Sequence, residues 1–222
     1  MPKTPAPAER YGSGLLYGIA AYGLWGVLPA YFLFLAPSSP IEIVASRVLL
    51  SLVFCALLLT VLRGWGRFAA VLRDRRVVLT MGIAGLLILV NWLVYIYAAL
   101  SGHVVEAALG YFTNPIVTVL LGVFVLRERL RPAQWTAIGI SALAVIVLAV
   151  NYGAFPVIAL ALAFTFGFYG LIKKRVSGRV DAISGLTIET IWLAPIAAAM
   201  LIVTALTTGL TVGTISTAHT IA

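Results

Sequence analysis

Apolar stretches long enough to cross a bilayer recur along this chain, separated by short polar or basic connections. A helix needs about 20 apolar residues to traverse the hydrocarbon core. By that measure seven spans are predicted, at 12–35, 41–62, 77–100, 104–126, 133–150, 154–172 and 183–206. Lone strands cannot cross lipid with their backbone groups unpaired, so the spans are helices and the fold class is an all-α, polytopic transmembrane bundle. The first stretch is long enough to span and lacks a small-residue cleavage site, so an uncleaved first helix is expected rather than a signal peptide. Pro37, Pro40, Pro132 and Pro156 fall at or near span ends, where helices tolerate them. Pro29, Pro115 and Pro195 fall inside spans, where a kink or break is predicted.

The basic residues refine this picture. Lys3 and Arg10 precede the first span. Arg63, Arg67, Arg73, Arg75 and Arg76 separate spans two and three, Arg127, Arg129 and Arg131 separate four and five, and Lys173, Lys174, Arg175 and Arg179 separate six and seven. The connections after the odd-numbered spans carry none. Read by the positive-inside rule, the alternation places the N-terminus and the loops 63–76, 127–132 and 173–182 in the cytoplasm, and the C-terminus outside. The expected location is the inner membrane of a bacterial cell. Composition agrees with a lipid environment: 62% of the 222 residues are hydrophobic and only 10% charged, with a mean hydropathy of +1.10. The net charge of +8 does not indicate nucleic acid, because the cations sit in short juxtamembrane loops, where they orient the chain and meet anionic lipid.

Charges inside spans carry the candidate chemistry. Arg47 lies roughly 9 Å below the start of span two at helical rise. Snorkelling toward the headgroups would satisfy it, but arginine within a span usually faces the bundle interior. Glu189 lies six residues into span seven; it is either a neutral acid hydrogen-bonded in packing or a proton carrier. Glu42 and Glu106 open spans two and four, where acids are favourable at helix N-termini. Glu106 precedes Gly110-Tyr111-Phe112-Thr113-Asn114-Pro115, an interruption of the kind that lines cavities. Asn91-Trp92 and Trp25-Gly26 place further polar or aromatic groups at mid-span. Gly14 and Gly18 form a G-x-x-x-G pair, which permits close helix approach; a homodimer stays open. Cys55 stands alone, so there is no internal disulfide. The lone histidines His103 and His219 predict no metal site. Glu128, between Arg127 and Arg129, reads as a solvated loop end. No phosphate loop or hydrolase motif occurs, so neither an enzyme nor a cofactor is expected.

An internal echo suggests a repeat. Ala21-Tyr-Gly-Leu-Trp-Gly26 in span one parallels Ala163-Phe-Thr-Phe-Gly167 in span six. Arg47 and Glu189 follow these glycines at almost equal distances. Five spans separate the copies, so the second is inverted, an architecture recurrent in secondary transporters. The expected organisation is a tail at 1–11, a five-span repeat at 12–150, a partial second repeat of two spans at 154–206, and a polar tail at 207–222.

These residues together resemble the RarD-type permeases of the EamA family, in the drug/metabolite transporter superfamily. The resemblance rests on Tyr22-Gly-Leu-Trp-Gly-Val-Leu-Pro-Ala-Tyr-Phe32, Glu42 with Ser46-Arg47, and Asn91-Trp92. It continues through Glu106 to Pro115, Leu126-Arg-Glu-Arg129, Ala161 to Leu171 including Tyr169, and Ile188-Glu-Thr190. It implies ten spans in two inverted repeats and export of small molecules; against that plan the chain is expected to lack its last helices. The candidate substrate residues are Trp25, Arg47, Asn91 and Trp92 from spans one to three. Tyr111, Asn114, Tyr169 and Glu189 complete the set. Glu106 and Glu189 are the candidate proton carriers.

A secondary transporter is therefore the leading expectation, with a small-molecule substrate between spans 1–4 and 6–7, lipid around it and protons as a candidate coupling partner. Arg47 would contact an anionic group. The alternatives are an intramembrane enzyme, which would require clustered acids, and a non-transporting subunit. Span depths place the Cα atoms of Arg47 and Glu189 roughly 12 Å apart along the membrane normal. Both residues are predicted to face one central cavity without a direct bidentate contact, leaving room for a water or a substrate group between them.

Overall fold

The computed structural model describes residues 7–152 and 155–211. Lys3, His219 and the tail beyond Thr211 lie outside them. The described residues form eight helices and no strand: α1 (Pro7–Phe34), α2 (Pro40–Val61), α3 (Trp65–Leu72), α4 (Arg75–Leu100), α5 (Val104–Leu126), α6 (Pro132–Tyr152), α7 (Val157–Val176) and α8 (Ala182–Thr207). Seven of them are long and apolar enough to cross a membrane, so the chain is a multi-pass membrane protein.

The starts of these helices follow from local chemistry. Ser39 caps α2 by accepting the Glu42 N–H, with Pro40 supplying a preset φ at the first helical position. Asp74 accepts from Arg76 and Val77 at the start of α4, and Asp181 accepts from Ser184 at the start of α8. Two elements differ from the predicted spans. Within the loop expected at 63–76 lies α3, eight residues long, with Phe68 buried against Leu59, Val77, Met81 and Ile188. Its neighbours Arg67 and Arg73 are exposed. The second difference is α7, which begins later and runs on to Val176, enclosing Lys173, Lys174 and Arg175 in its last turn. Pro156 withholds the start. Lysine and arginine are good helix formers and favourable beside a helix C-terminus, so the basic run continues the helix.

The prolines inside spans do not break them. α1, α5 and α8 run continuously through Pro29, Pro115 and Pro195. Each proline still removes the N–H that would bond the carbonyl four residues earlier, which affects Trp25, Tyr111 and Ile191.

In lipid the hydrophobic effect does not drive helices together; close packing does. α2 packs on α8 and α5 on α7, while α4 touches both pairs; α1 rests chiefly on α4 and α6 on α5. The close approaches described are at glycines other than Gly18, and Gly14 lies outside the described side chains. An added Cβ on Gly110 would lie 2.9 Å from the Ala159 carbonyl oxygen, and one on Gly82 would lie 2.8 Å from the Trp192 ring. Around Gly18 nothing lies within 4 Å.

The three Lys/Arg-rich connections meet at one end of the bundle. Lys174 pairs with Glu128, so Glu128 is more than a solvated loop end. Arg179 lies 3.9 Å from Asp74. At the opposite end two buried carboxylates hold helix ends. Glu42 accepts from the Thr211 N–H at 2.6 Å and its hydroxyl at 2.7 Å. Glu106 accepts from the Ile158 N–H at 2.9 Å. The start of α5 thus meets the start of α7, and the two helices run in the same direction.

Candidate functional site

Five helices line a central, partly open cavity of about 330 Å³. Its lining includes six of the eight expected substrate residues: Trp25 from α1, Arg47 from α2, Asn91 and Trp92 from α4, and Tyr111 and Asn114 from α5. Each helix contributes one face, because residues three or four apart share a side. That spacing is also the signal by which the remaining members were legible but overlooked. Tyr22 is three residues before Trp25, and Tyr95 is four after Asn91; both line the cavity.

Arg47 carries the only charge among the lining residues. Its guanidinium carbon sits 4.4 Å from the centre of the Trp92 ring, a cation–π contact that lowers the cost of a charge in lipid. Arg47 also borders a second cavity, of about 310 Å³, between α1 and α2. Four rings, Trp25, Tyr95, Tyr111 and Phe166, form an aromatic cluster in the lining. Trp25 lies 6.1 Å from Tyr111 and 6.0 Å from Phe166, and Tyr111 lies 5.5 Å from Tyr95. These are edge or tilted contacts, so ring faces remain available for stacking.

Asn91 has a firm structural tie as well. Its amide donates to the Leu162 carbonyl at 3.1 Å and the Thr165 hydroxyl at 2.9 Å, bracing α4 against α7. Asn114 accepts from Thr118 at 3.2 Å. Pro29 and Pro115 deprive the Trp25 and Tyr111 carbonyls of their intrahelical donors; both residues line this cavity.

Tyr169 and Glu189 lie elsewhere. They line a separate cavity of about 650 Å³ near the basic end, with Lys173 and Asp181. Glu189 accepts from Lys173 Nζ at 2.7 Å and from the Tyr169 hydroxyl at 3.3 Å. The expectation that Arg47 and Glu189 share one central cavity is therefore corrected. The reason is the extension of α7: it carries Lys173, expected in a loop, to the level of Glu189. The two cavities adjoin through an aromatic pair, since Phe166 lines the first, Tyr169 the second, and their rings are 5.9 Å apart.

Residues 12–150 match the model of the EamA-like transporter family. A protein named RarD from Streptomyces exfoliatus is 48% identical over 178 residues, covering 80% of this chain and 56% of the relative. RarD of Escherichia coli K12 is 39% identical over 191 residues, covering 86% of this chain and 64% of the relative. An uncharacterised transporter of Bacillus subtilis is 41% identical over 188 residues, covering 83% and 62%. The chain thus spans about three fifths of the length of these relatives. No solved structure matches. The matched region contains Trp25, Arg47, Asn91, Trp92, Tyr111 and Asn114, all of which line the central cavity, and on this match the chain belongs to the EamA-like transporter family.

Proposed function

We propose that this protein is a secondary transporter, an exporter of small molecules across the bacterial inner membrane, with the central cavity as its substrate site. The observation that carries this reading is the convergence of polar and aromatic side chains from five helices on one cavity whose single charged lining residue is Arg47. Residues 12–150 act as one repeat and residues 154–206 as part of an inverted second one. Proton coupling runs through Glu189, which borders the adjoining cavity; Glu106 serves the start of α7 instead.

The test is comparative export. Host cells expressing the full chain, its Tyr111→Ala variant, or neither are matched for membrane abundance, and intracellular and medium metabolites are compared by mass spectrometry. Export of at least one compound class should depend on the chain and fall about tenfold in the variant, the effect of roughly 1.4 kcal/mol lost from the site. Identical profiles in all three strains would favour a non-transporting subunit.

The proposed orientation places the basic end and N-terminus in the cytoplasm. It follows from the clustering of the basic connections at one end. A cysteine introduced at Ala70, on the exposed side of α3, should react with a membrane-impermeant thiol reagent only in inverted vesicles. The native Cys55 is buried and gives low background. Labelling in intact cells would overturn the orientation.

A further inference from the structure

We propose that the central cavity selects small aromatic monoanions, of which a single-ring carboxylate is the simplest example. This rests on the reading of that cavity as the substrate site and adds the chemistry it takes.

Charge comes first. Arg47 is the one ionisable cation in the lining, and no Asp or Glu faces it there. The acids inside the bundle are occupied elsewhere: Glu42 by Thr211, Glu106 by the Ile158 N–H, and Glu189 by Lys173. A cation in the membrane without a protein counter-ion calls for a wet cavity or an anionic ligand. The donors of a guanidinium lie in its own plane. Stacking on Trp92 therefore covers a face of Arg47 and consumes none of its N–H groups, and they bond no described residue. A planar oxyanion can take two of these donors side by side.

The remaining wall decides what the anion is attached to. Trp25, Tyr95, Tyr111 and Phe166 present ring faces and edges within one cluster, suited to a flat apolar body. A volume of about 330 Å³ falls at the small end of ligand cavities, which favours one ring over several. A single cation matches a single negative charge. A dianion such as a phosphate monoester would bring one charge without a partner into a low-dielectric site.

Binding of radiolabelled benzoate to the purified full chain in nanodiscs tests this, with benzamide, benzylamine and phenyl phosphate as competitors of similar shape. Benzoate should bind, and each competitor should be at least about tenfold weaker, as expected for loss of one charge-assisted interaction. Arg47→Gln should weaken benzoate by a similar factor and leave benzamide unchanged; Arg47→Lys, which keeps the charge but not the planar fork, should fall between. Thermal unfolding of each variant confirms that it is folded, and removal of an intramembrane charge does not hinder insertion. If benzamide or phenyl phosphate binds as tightly as benzoate and Tyr111→Ala abolishes binding, the cavity is the site but the monoanion assignment is wrong. If none of the ring compounds binds, or binding ignores both Arg47→Gln and Tyr111→Ala, both the assignment and the site reading fail.

Discussion

Replacing Lys173 with alanine should destabilise the bundle by about 3 kcal/mol, the scale seen when one partner of a buried ion pair is removed. The two partners are unequally buried: the Glu189 side chain is 2% exposed and that of Lys173 33%. Truncating the lysine leaves the carboxylate inside with only the Tyr169 hydroxyl at 3.3 Å. Glu189→Gln has the opposite geometry. The amide oxygen still accepts from Lys173 or Tyr169, and the ammonium reaches water, so a loss of about 1 kcal/mol is expected, the ordinary worth of one hydrogen bond. The double variant should recover part of the Lys173→Ala loss. Unfolding in mixed micelles by titration with a denaturing detergent at neutral pH measures all three. An equal or reversed ranking of the single variants would show that burial of Glu189 does not set the cost.

Gly110→Val should cost about 2–3 kcal/mol through overpacking and should also disturb the central cavity. The added Cβ would stand 2.9 Å from the Ala159 carbonyl oxygen and 3.0 Å from the Ala159 Cα. Those are backbone atoms, so no side chain can swing aside and α5 must move off α7. Tyr111, the next residue, would be carried with it. Gly18→Ala is the informative control, because an added Cβ there meets nothing within 4 Å; alanine's better helix propensity should make it neutral or slightly stabilising. The same micelle titration distinguishes the two. Similar stabilities would mean that the α5–α7 approach is looser than its geometry implies.

The spans were legible because lipid imposes a length and an apolar composition on any helix that crosses it. Helix α3 escaped the same reasoning. At eight residues it is too short for a span, and its one buried side chain, Phe68, repeats too little to register as a period. The facing of Arg47, Asn91, Tyr111 and Asn114 was legible for an energetic reason, since polar groups are costly against acyl chains. Glu189 was misplaced by a few residues of helix register. Ending span six at 172 put Lys173 in a loop and left the acid without its partner. The roles of Glu42 and Glu106 were not legible at all. Their partners, Thr211 and Ile158, are 169 and 52 residues away in sequence, and only the folded bundle brings them together. The interior prolines mark a different limit. Local rules identify a missing donor, but whether the helix continues depends on the neighbours that support it.

The Glu106 bond has a mechanical side. One buried carboxylate belongs to the first turn of α5 and receives the Ile158 N–H from the first turn of α7. Separating these helices at that end must break a charge-assisted hydrogen bond in a low-dielectric setting; moving them together breaks nothing. With Gly110 seated against Ala159, the pair behaves as one stiff leaf. Helix α1 is its counterpart: from Leu15 to Val27 nearly every residue is open to its surroundings. The side of the central cavity held by the fewest protein contacts is therefore the one beside Trp25, where a ring forms part of the cavity wall.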